Sequence, residues 1–280
     1  MIVTLAIPCF NAARTLEPVL AGVAAQTRKP DEVLVVDDGS SDGSGALAAT
    51  FGARVVPHPE NLGLARARNT ALEQSRGDVV VFVDADAVPR PDLVARLTSG
   101  YLDARLAGVS GQIMEPARGS LADRWRGHFW RQTQGEAPLS QAAFLVGGCC
   151  SLRREAALEV GAFSSEYRTN GEDVELSLRL RQAGGRLAYD PAAQVMHLRQ
   201  DSVGSLLRMV YRHKRDHVRA LRTRGESPAP VVNSALRWGP ITLASSLRRH
   251  RSPALAALSL PCHAASLAGC AAGLLTQRTP

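Results

Sequence analysis

The sequence is nearly without lysine: of its 33 basic residues only Lys29 and Lys214 are lysines, and the rest are arginine. Aromatic residues are also scarce, at 5% of 280 positions, and do not interleave with the basic ones. That argues against a nucleic-acid partner, which needs stacking platforms among its cations, whereas arginine's planar fork suits phosphate. Five cysteines (Cys9, Cys149, Cys150, Cys262 and Cys270) make an odd number without metal-finger spacing. A disulfide framework is disfavoured, and a reducing, cytoplasmic setting is expected. No charged leader precedes the apolar start MIVTLAIPCFN, so no signal peptide is expected. No internal repeat is found.

What is present fits a folded globular chain: 45% apolar residues, 21% charged residues and a formal charge of +7. The length allows one large domain or two modest ones. Strand-prone runs at Val3 to Ile7, Glu32 to Val36, ARVVPH and Asp78 to Val83 alternate with helical spacing at 12–26, 46–51 and 64–74. This order predicts an α/β domain with a mainly parallel sheet. Such sheets bind ligands beyond the carboxyl ends of their strands. PCFN, DDGSSDGS and DADA each fall at such an end.

Further on, Val109 to Met114 and Phe144 to Leu152 read as strands, the second passing through Gly147 and Gly148. Residues 120–135 are amphipathic and carry Trp125, Phe129 and Trp130. Helices are predicted over 153–160 and 172–182, with a short strand at 186–189. Residues 205–224 hold seven Arg or Lys with His213 and His217 on a predicted helix, 226–230 read as a linker or turn, and 253–275 are rich in Ala and Leu.

Three constellations carry candidate chemistry. DDGSSDGS (37–44) is neither the G-x-G-x-x-G fingerprint nor a P-loop. Its small residues allow close backbone approach to a ligand, and Asp37 and Asp38 could accept hydrogen bonds from a ribose or a base. A plain strand–helix turn with a cap explains the same residues equally well. In VDADA, alternation along an extended backbone would put Asp84 and Asp86 on one side, within reach of one hard cation. Taken alone, a solvated turn before Pro89 and Pro91 is the commoner reading. Glu172 and Asp173 open a helix, where acids are favoured electrostatically and where one facing a cleft could act as a general base. His197 stands by itself as a candidate metal ligand, core residue or surface residue.

Taken together and in order, IPCFN, LVVDDGSSDGS, ENLGLARARNTAL, VVFVDADAVPRPD, GGCCSLRREAALEVGAFSSEY and NGEDVELSLRLRQAGGRLAYDPAAQVMH resemble the family 2 glycosyltransferases. The resemblance covers about residues 1 to 200. It implies a GT-A fold, with a Rossmann-like, mainly parallel central sheet flanked by helices, and a mostly helical C-terminal extension over 201–280. By resemblance, Pro8, Asn11, Asp37 and Asp38 hold the nucleotide of a sugar donor, Asp38 being nearer the base. Arg66, Arg68 and Asn69 line the donor site. Asp86 is the firmer metal ligand, with Asp84 toward the ribose or the metal and His197 a third ligand or a diphosphate contact. Asp173 is the usual base, beside Glu172, and Gly147 and Gly148 let the backbone pass close to donor or acceptor.

The implied reaction is inverting transfer of one sugar from a UDP-, GDP- or dTDP-linked donor to an acceptor hydroxyl, with Mn²⁺ or Mg²⁺ as cofactor. The Q-x-x-R-W segment usual in processive synthases of this superfamily is missing, and YRHKRD (211–216) occupies the comparable region. Single transfer is therefore expected. A polyprenyl phosphate acceptor and a catalytically idle sugar-nucleotide or glycan-binding protein are the rival readings. A nucleotidyltransferase would want a Gly-rich, Arg-containing loop near residue 10, which the sequence lacks. The expected partners are the nucleotide sugar and a glycan, lipid-linked or small-molecule acceptor. The basic stretch 205–224 and the apolar 253–275 raise peripheral contact with the cytoplasmic face of a membrane, and a homodimer is left open.

Overall fold

β1 (Val3–Cys9) is buried at every position, as a strand with neighbours on both sides and helices over both faces requires. In the computed structural model, which describes residues 1–167 and 169–276, it lies inside an eight-stranded sheet. The others are β2 (Glu32–Asp37), β3 (Arg54–Pro57), β4 (Val79–Val83), β5 (Ala87–Pro89), β6 (Leu106–Met114), β7 (Cys149–Arg153) and β8 (Arg186–His197). Their spatial order is β3-β2-β1-β4-β7-β6-β8-β5.

The first four form a parallel block, with Leu5 opposite Val33 on one side and Val81 near its other edge. β7 then runs antiparallel to both β4 and β6, β6 and β8 are parallel, and β5 is antiparallel to β8. The sheet is therefore mixed, and the mainly parallel expectation holds only for its first half. Pro8, which cannot donate to a ladder, sits beyond the last rung that β1 shares with β4.

The helices of this part follow from their apolar spacing. α1 (Ala13–Ala24) buries Leu16, Val19, Leu20 and Val23, one face of a helix, despite Pro18 in its interior. α2 (Ser44–Thr50), α3 (Leu64–Gln74), α4 (Leu93–Leu97), α6 (Arg154–Glu159) and α7 (Glu172–Gln182) complete it. α7 has its acids Glu172, Asp173 and Glu175 in the first turn and Arg179 and Arg181 in the last, matching the helix dipole at both ends.

The chain divides into two units: Met1–Met114 with Gln132–Arg199, and Glu115–Arg131 with the chain from Gln200 on. The second unit is helical, with α5 (Leu121–Phe129), α8 (Val203–Thr223), α9 (Ala229–Arg248) and α10 (Pro253–Leu275). Segment 115–131, which the sequence reading keeps within the first 200 residues, packs here: Trp125 is fully buried and its indole N–H donates to Ser259 Oγ at 2.9 Å. Arg126, equally buried, is met by Glu115 at 2.8 Å, by Asp123 at 3.3 Å and by Asp201. α9 begins inside the 226–230 stretch expected as linker or turn and runs on through Pro240.

α10 is long and apolar enough to cross a membrane, by length and composition only, and 44% of its most apolar window is buried. Its Gly273 lies against the backbone of α8, where a Cβ would come 2.5 Å from the carbonyl oxygen of Arg215. The missing side chain is what lets the two helices approach so closely. All five cysteines are buried and unbridged.

Candidate active site

The suspected groups gather at the carboxyl ends of β1, β2 and β4, at the far end of β8 and at the N-terminus of α7. The first two loops are laced together. The N–H groups of Asn11, Ala12 and Ala13 donate to Ser40 Oγ, Ser44 Oγ and Asp42 Oδ2, each at 2.9 Å, and Asn11 Oδ1 accepts from Ser41 N at 2.9 Å. The short polar side chains of DDGSSDGS thus satisfy the amides at the start of α1, which that helix leaves without partners of its own. Burial pushes the nearby Cys9 thiol up to about 11, so this cysteine is an inert neighbour of the site.

The two acids of DDGSSDGS separate. Asp38 is 3% exposed, lies 2.6 Å from His58 Nδ1, and accepts from the N–H groups of Leu62 and Gly63 at 3.0 and 2.8 Å. It anchors the entry to α3. Expected nearest the base of the donor, Asp38 has both its oxygens engaged within the fold. Asp37 is half-buried, with Oδ1 accepting from Ser40 N at 3.0 Å. It stands beside exposed Asn11, whose φ of 48° is unusual for a residue with a side chain. Asp37 and Asn11 are the members of this group with accessible surface; Pro8 is buried.

Asp84–Ala87 is a tight turn, closed by the Ala87 N–H on the Asp84 carbonyl at 3.0 Å. The strand alternation expected across D-x-D is therefore replaced by a turn, and the two acids go different ways. Asp84 Oδ1 accepts from Arg68 at 3.1 Å, while Asp86 Oδ2 lies 3.2 Å from His197 Nε2. β8 is responsible for the second meeting. Instead of ending at 189 it runs to His197, which pairs with Ala87 of β5 and so comes beside Asp86. Burial raises the Asp86 carboxyl, but the hydrogen bond and charge of His197 and the charge of Arg199 outweigh it and hold the group below its usual range. Arg199 is a contributor that the sequence reading does not single out; only its position two residues past His197 signals it.

Arg68 is 2% exposed and does not line an open site. Its guanidinium joins Asp84 to Glu172, at 3.1 and 2.5 Å, so it ties the end of β4 to the start of α7. Burial raises Glu172, as does the charge of Asp173, and although Arg68 opposes them the carboxyl is pushed up to about 7. Burial raises Asp84 as well, against the pull of Arg68. Glu172 Oε2 and Arg68 Nε, both buried, have no hydrogen-bond partner among the described residues. Asn69 is likewise turned inward: its amide donates to the Phe163 carbonyl and accepts from the Phe163 N–H, both at 2.8 Å, and so holds the loop after α6. Arg66 is exposed.

Gly147 and Gly148 are needed by the protein's own side chains. A Cβ on Gly147 would lie 2.5 Å from the Arg68 guanidinium, and one on Gly148 would overlap the Asp84 carboxylate. The Gly147 N–H also donates to Asp173 Oδ2 at 2.9 Å, while Asp173 Oδ1 accepts from Val174 N at 2.8 Å. Asp173 is thus held by two backbone amides and stays half-buried, one dipeptide away from Asp84.

No group of three His, Cys, Asp or Glu forms a ready cation cage among the described residues. The carboxylate–imidazole pair of Asp86 and His197 still suits Mg²⁺ or Mn²⁺, which keep several ligands from substrate phosphates and water. Asp84, also expected toward the metal, has its Oδ1 engaged by Arg68 at 3.1 Å.

Residues 4–161 match the model of the family described as Glycosyl transferase family 2. The Pre-mycofactocin glycosyltransferase of Mycobacterium tuberculosis is 32% identical over 204 residues, which cover 70% of this chain and 42% of that protein. An N-acetylglucosaminyltransferase of Mesorhizobium japonicum is 29% identical over 236 residues, 76% of this chain and 55% of that one. The chain spans about half the length of these curated relatives. Among solved structures, the mannosyltransferase PcManGT from Pyrobaculum calidifontis, in complex with GDP-Man and Mn²⁺, superposes with a TM-score of 0.68 at 21% identity. The match covers 98% of this chain and 87% of that one, and it establishes the GT-A fold.

Proposed function

We propose, for a chain that belongs to glycosyl transferase family 2, that this site moves a single sugar from a nucleoside-diphosphate sugar to an acceptor hydroxyl, with inversion at the anomeric carbon. The observation that carries the reading is the placement of Asp173. Two backbone amides fix its carboxylate one dipeptide from Asp84, while a separate carboxylate–imidazole pair, Asp86 and His197, stands at the end of the same turn. Displacement with inversion needs those two tasks in separate places, a base for the attacking hydroxyl and compensation for the leaving diphosphate.

Asp173 takes the proton of the acceptor hydroxyl as its oxygen attacks the anomeric carbon and the bond to the diphosphate breaks. The Gly147 and Val174 amides aim that carboxylate and leave it half-open to a substrate. Asp37 and Asn11 offer polar atoms to the nucleoside at the laced loops. Glu172 does not share the base's task. It is buried on Arg68 and acts as a positioning residue, holding the first turn of α7 against the β4 end. A divalent cation on Asp86 and His197 would supply positive charge against the leaving diphosphate.

A donor panel tests the reading: UDP-, GDP- and dTDP-sugars with Mn²⁺ or Mg²⁺, scored by binding and by nucleoside diphosphate release. The GDP-Man and Mn²⁺ bound by the Pyrobaculum enzyme support including GDP-mannose. Metal-dependent binding of at least one donor is expected. Failure of every donor to bind with metal present would sink the proposal.

A further inference from the structure

The second unit contains a cavity of about 510 Å³ whose lining includes His128, Trp130, Lys214, Trp238, Arg249 and His250. Five of its lining residues are basic and none is acidic. Elsewhere in the same unit, buried Arg126 is met by three acids and Arg215 by Asp216 at 2.8 Å.

In the cavity two cations, Lys214 and Arg249, lack such an acidic partner among the described residues. Lys214 has the Trp130 ring 5.9 Å from its ammonium and, among the described residues, no carboxylate within ion-pair distance. Burial pulls its amine below the usual range. Arg249 likewise has no acidic partner among the described residues and is exposed at the rim. The His128 and His250 rings lie 3.9 Å apart at 32°, and burial, the neighbouring imidazole and Arg249 all disfavour the charged form of His128. A bound anion would relieve each of these costs at once.

The walls add a second requirement. Trp130 and Trp238 meet edge to face at 5.8 Å, and Trp238 does the same with Trp125 at 5.1 Å, giving a rigid aromatic side. Ile241, also in the lining, is 62% exposed, so the charged pocket opens past an apolar side chain.

We infer that this cavity binds a phosphate monoester carried on a hydrocarbon chain, with the phosphate between Lys214 and Arg249 and the chain leaving past Trp238 and Ile241. A monoester offers more negative charge and more free oxygens than a diester, which suits several donors converging without an acid among them. The site belongs wholly to the second unit, and the inference holds whether or not the first unit transfers a sugar.

The test uses the full chain and phosphatidylcholine vesicles doped at equal mole fraction with phosphatidic acid, a monoester, or phosphatidylglycerol, a diester, with inorganic phosphate as a soluble competitor. Tighter binding to the phosphatidic acid vesicles is expected, weakened by roughly tenfold or more in Lys214→Gln and in Arg249→Gln, with inorganic phosphate competing only weakly. Arg208→Gln, which removes an exposed charge of α8 outside the lining, should leave binding within about twofold. Thermal melts identify a variant that has lost its fold, and the exposed Arg249 gives a substitution that does not disturb packing. Equal binding to both doped vesicles, equal loss in Arg208→Gln, or inorganic phosphate displacing the protein fully at matched concentration would each overturn the inference.

Discussion

Arg68 of α3 lies 2.5 Å from Glu172 of α7 and 3.1 Å from Asp84 at the end of β4, so one buried guanidinium holds two acids from different elements. Removing it leaves two carboxylates in an enclosed site without their cation. Arg68→Met should therefore destabilise the fold by about 3 kcal/mol, the scale for breaking a buried ion pair from one side. Urea denaturation measures it; a loss under about 1 kcal/mol would show that the pair does not organise the site.

Glu172 gives a pH signature. Its folded carboxyl is raised to about 7 from an ordinary 4.5, so the native protein holds a proton that the unfolded chain has released. Its contribution to stability is complete below about pH 4.5, falls as pH rises toward 7, and is flat above. Glu172→Gln should flatten that decline in the difference between variant and parent, followed by denaturant midpoints from pH 4.5 to 8. An unchanged slope would refute it.

Asp173→Asn keeps the shape of the side chain and removes the base. Transfer to a hydroxyl acceptor should fall by about 10²- to 10⁴-fold, while nucleotide-sugar binding, measured by calorimetry, stays within a few-fold. Normal turnover would remove Asp173 from the mechanism and would favour an acceptor that is already ionised.

Gly148→Ala adds one carbon where the Asp84 carboxylate already sits. Overpacking of this kind typically costs about 1–3 kcal/mol, and here it would also dislodge Asp84 from Arg68. A lower melting temperature together with weakened donor binding is expected; a parent-like melt would mean that the turn has room to give.

Much of this was legible before the structure. The continuous apolar run of β4, the strand–helix alternation and the position of each polar motif at a strand's end bring the candidate residues to one rim of the sheet, as the structure does. What periodicity does not carry is partner choice. Asp38 and Asp37 are adjacent and chemically identical, and only the approach of His58 and the amides before α3 decides which is buried. Arg68, expected to line the donor site, gives no local sign of burial, and its partner Glu172 lies 104 positions later in the chain. The mixed half of the sheet is hidden for the same reason, since the reversal of β7 is a matter of pairing rather than pattern. α9 escapes because Gly239 and Pro240 interrupt a helix held in place by tertiary packing.

The lacing between the loop after β1 and DDGSSDGS has a consequence for how this rim can evolve. Five hydrogen bonds run between residues 11–13 and 40–44, each made by a side chain of at most three heavy atoms beyond Cβ. None has slack. An insertion in either loop would pull the other out of register, so the two must change length together or keep their lengths.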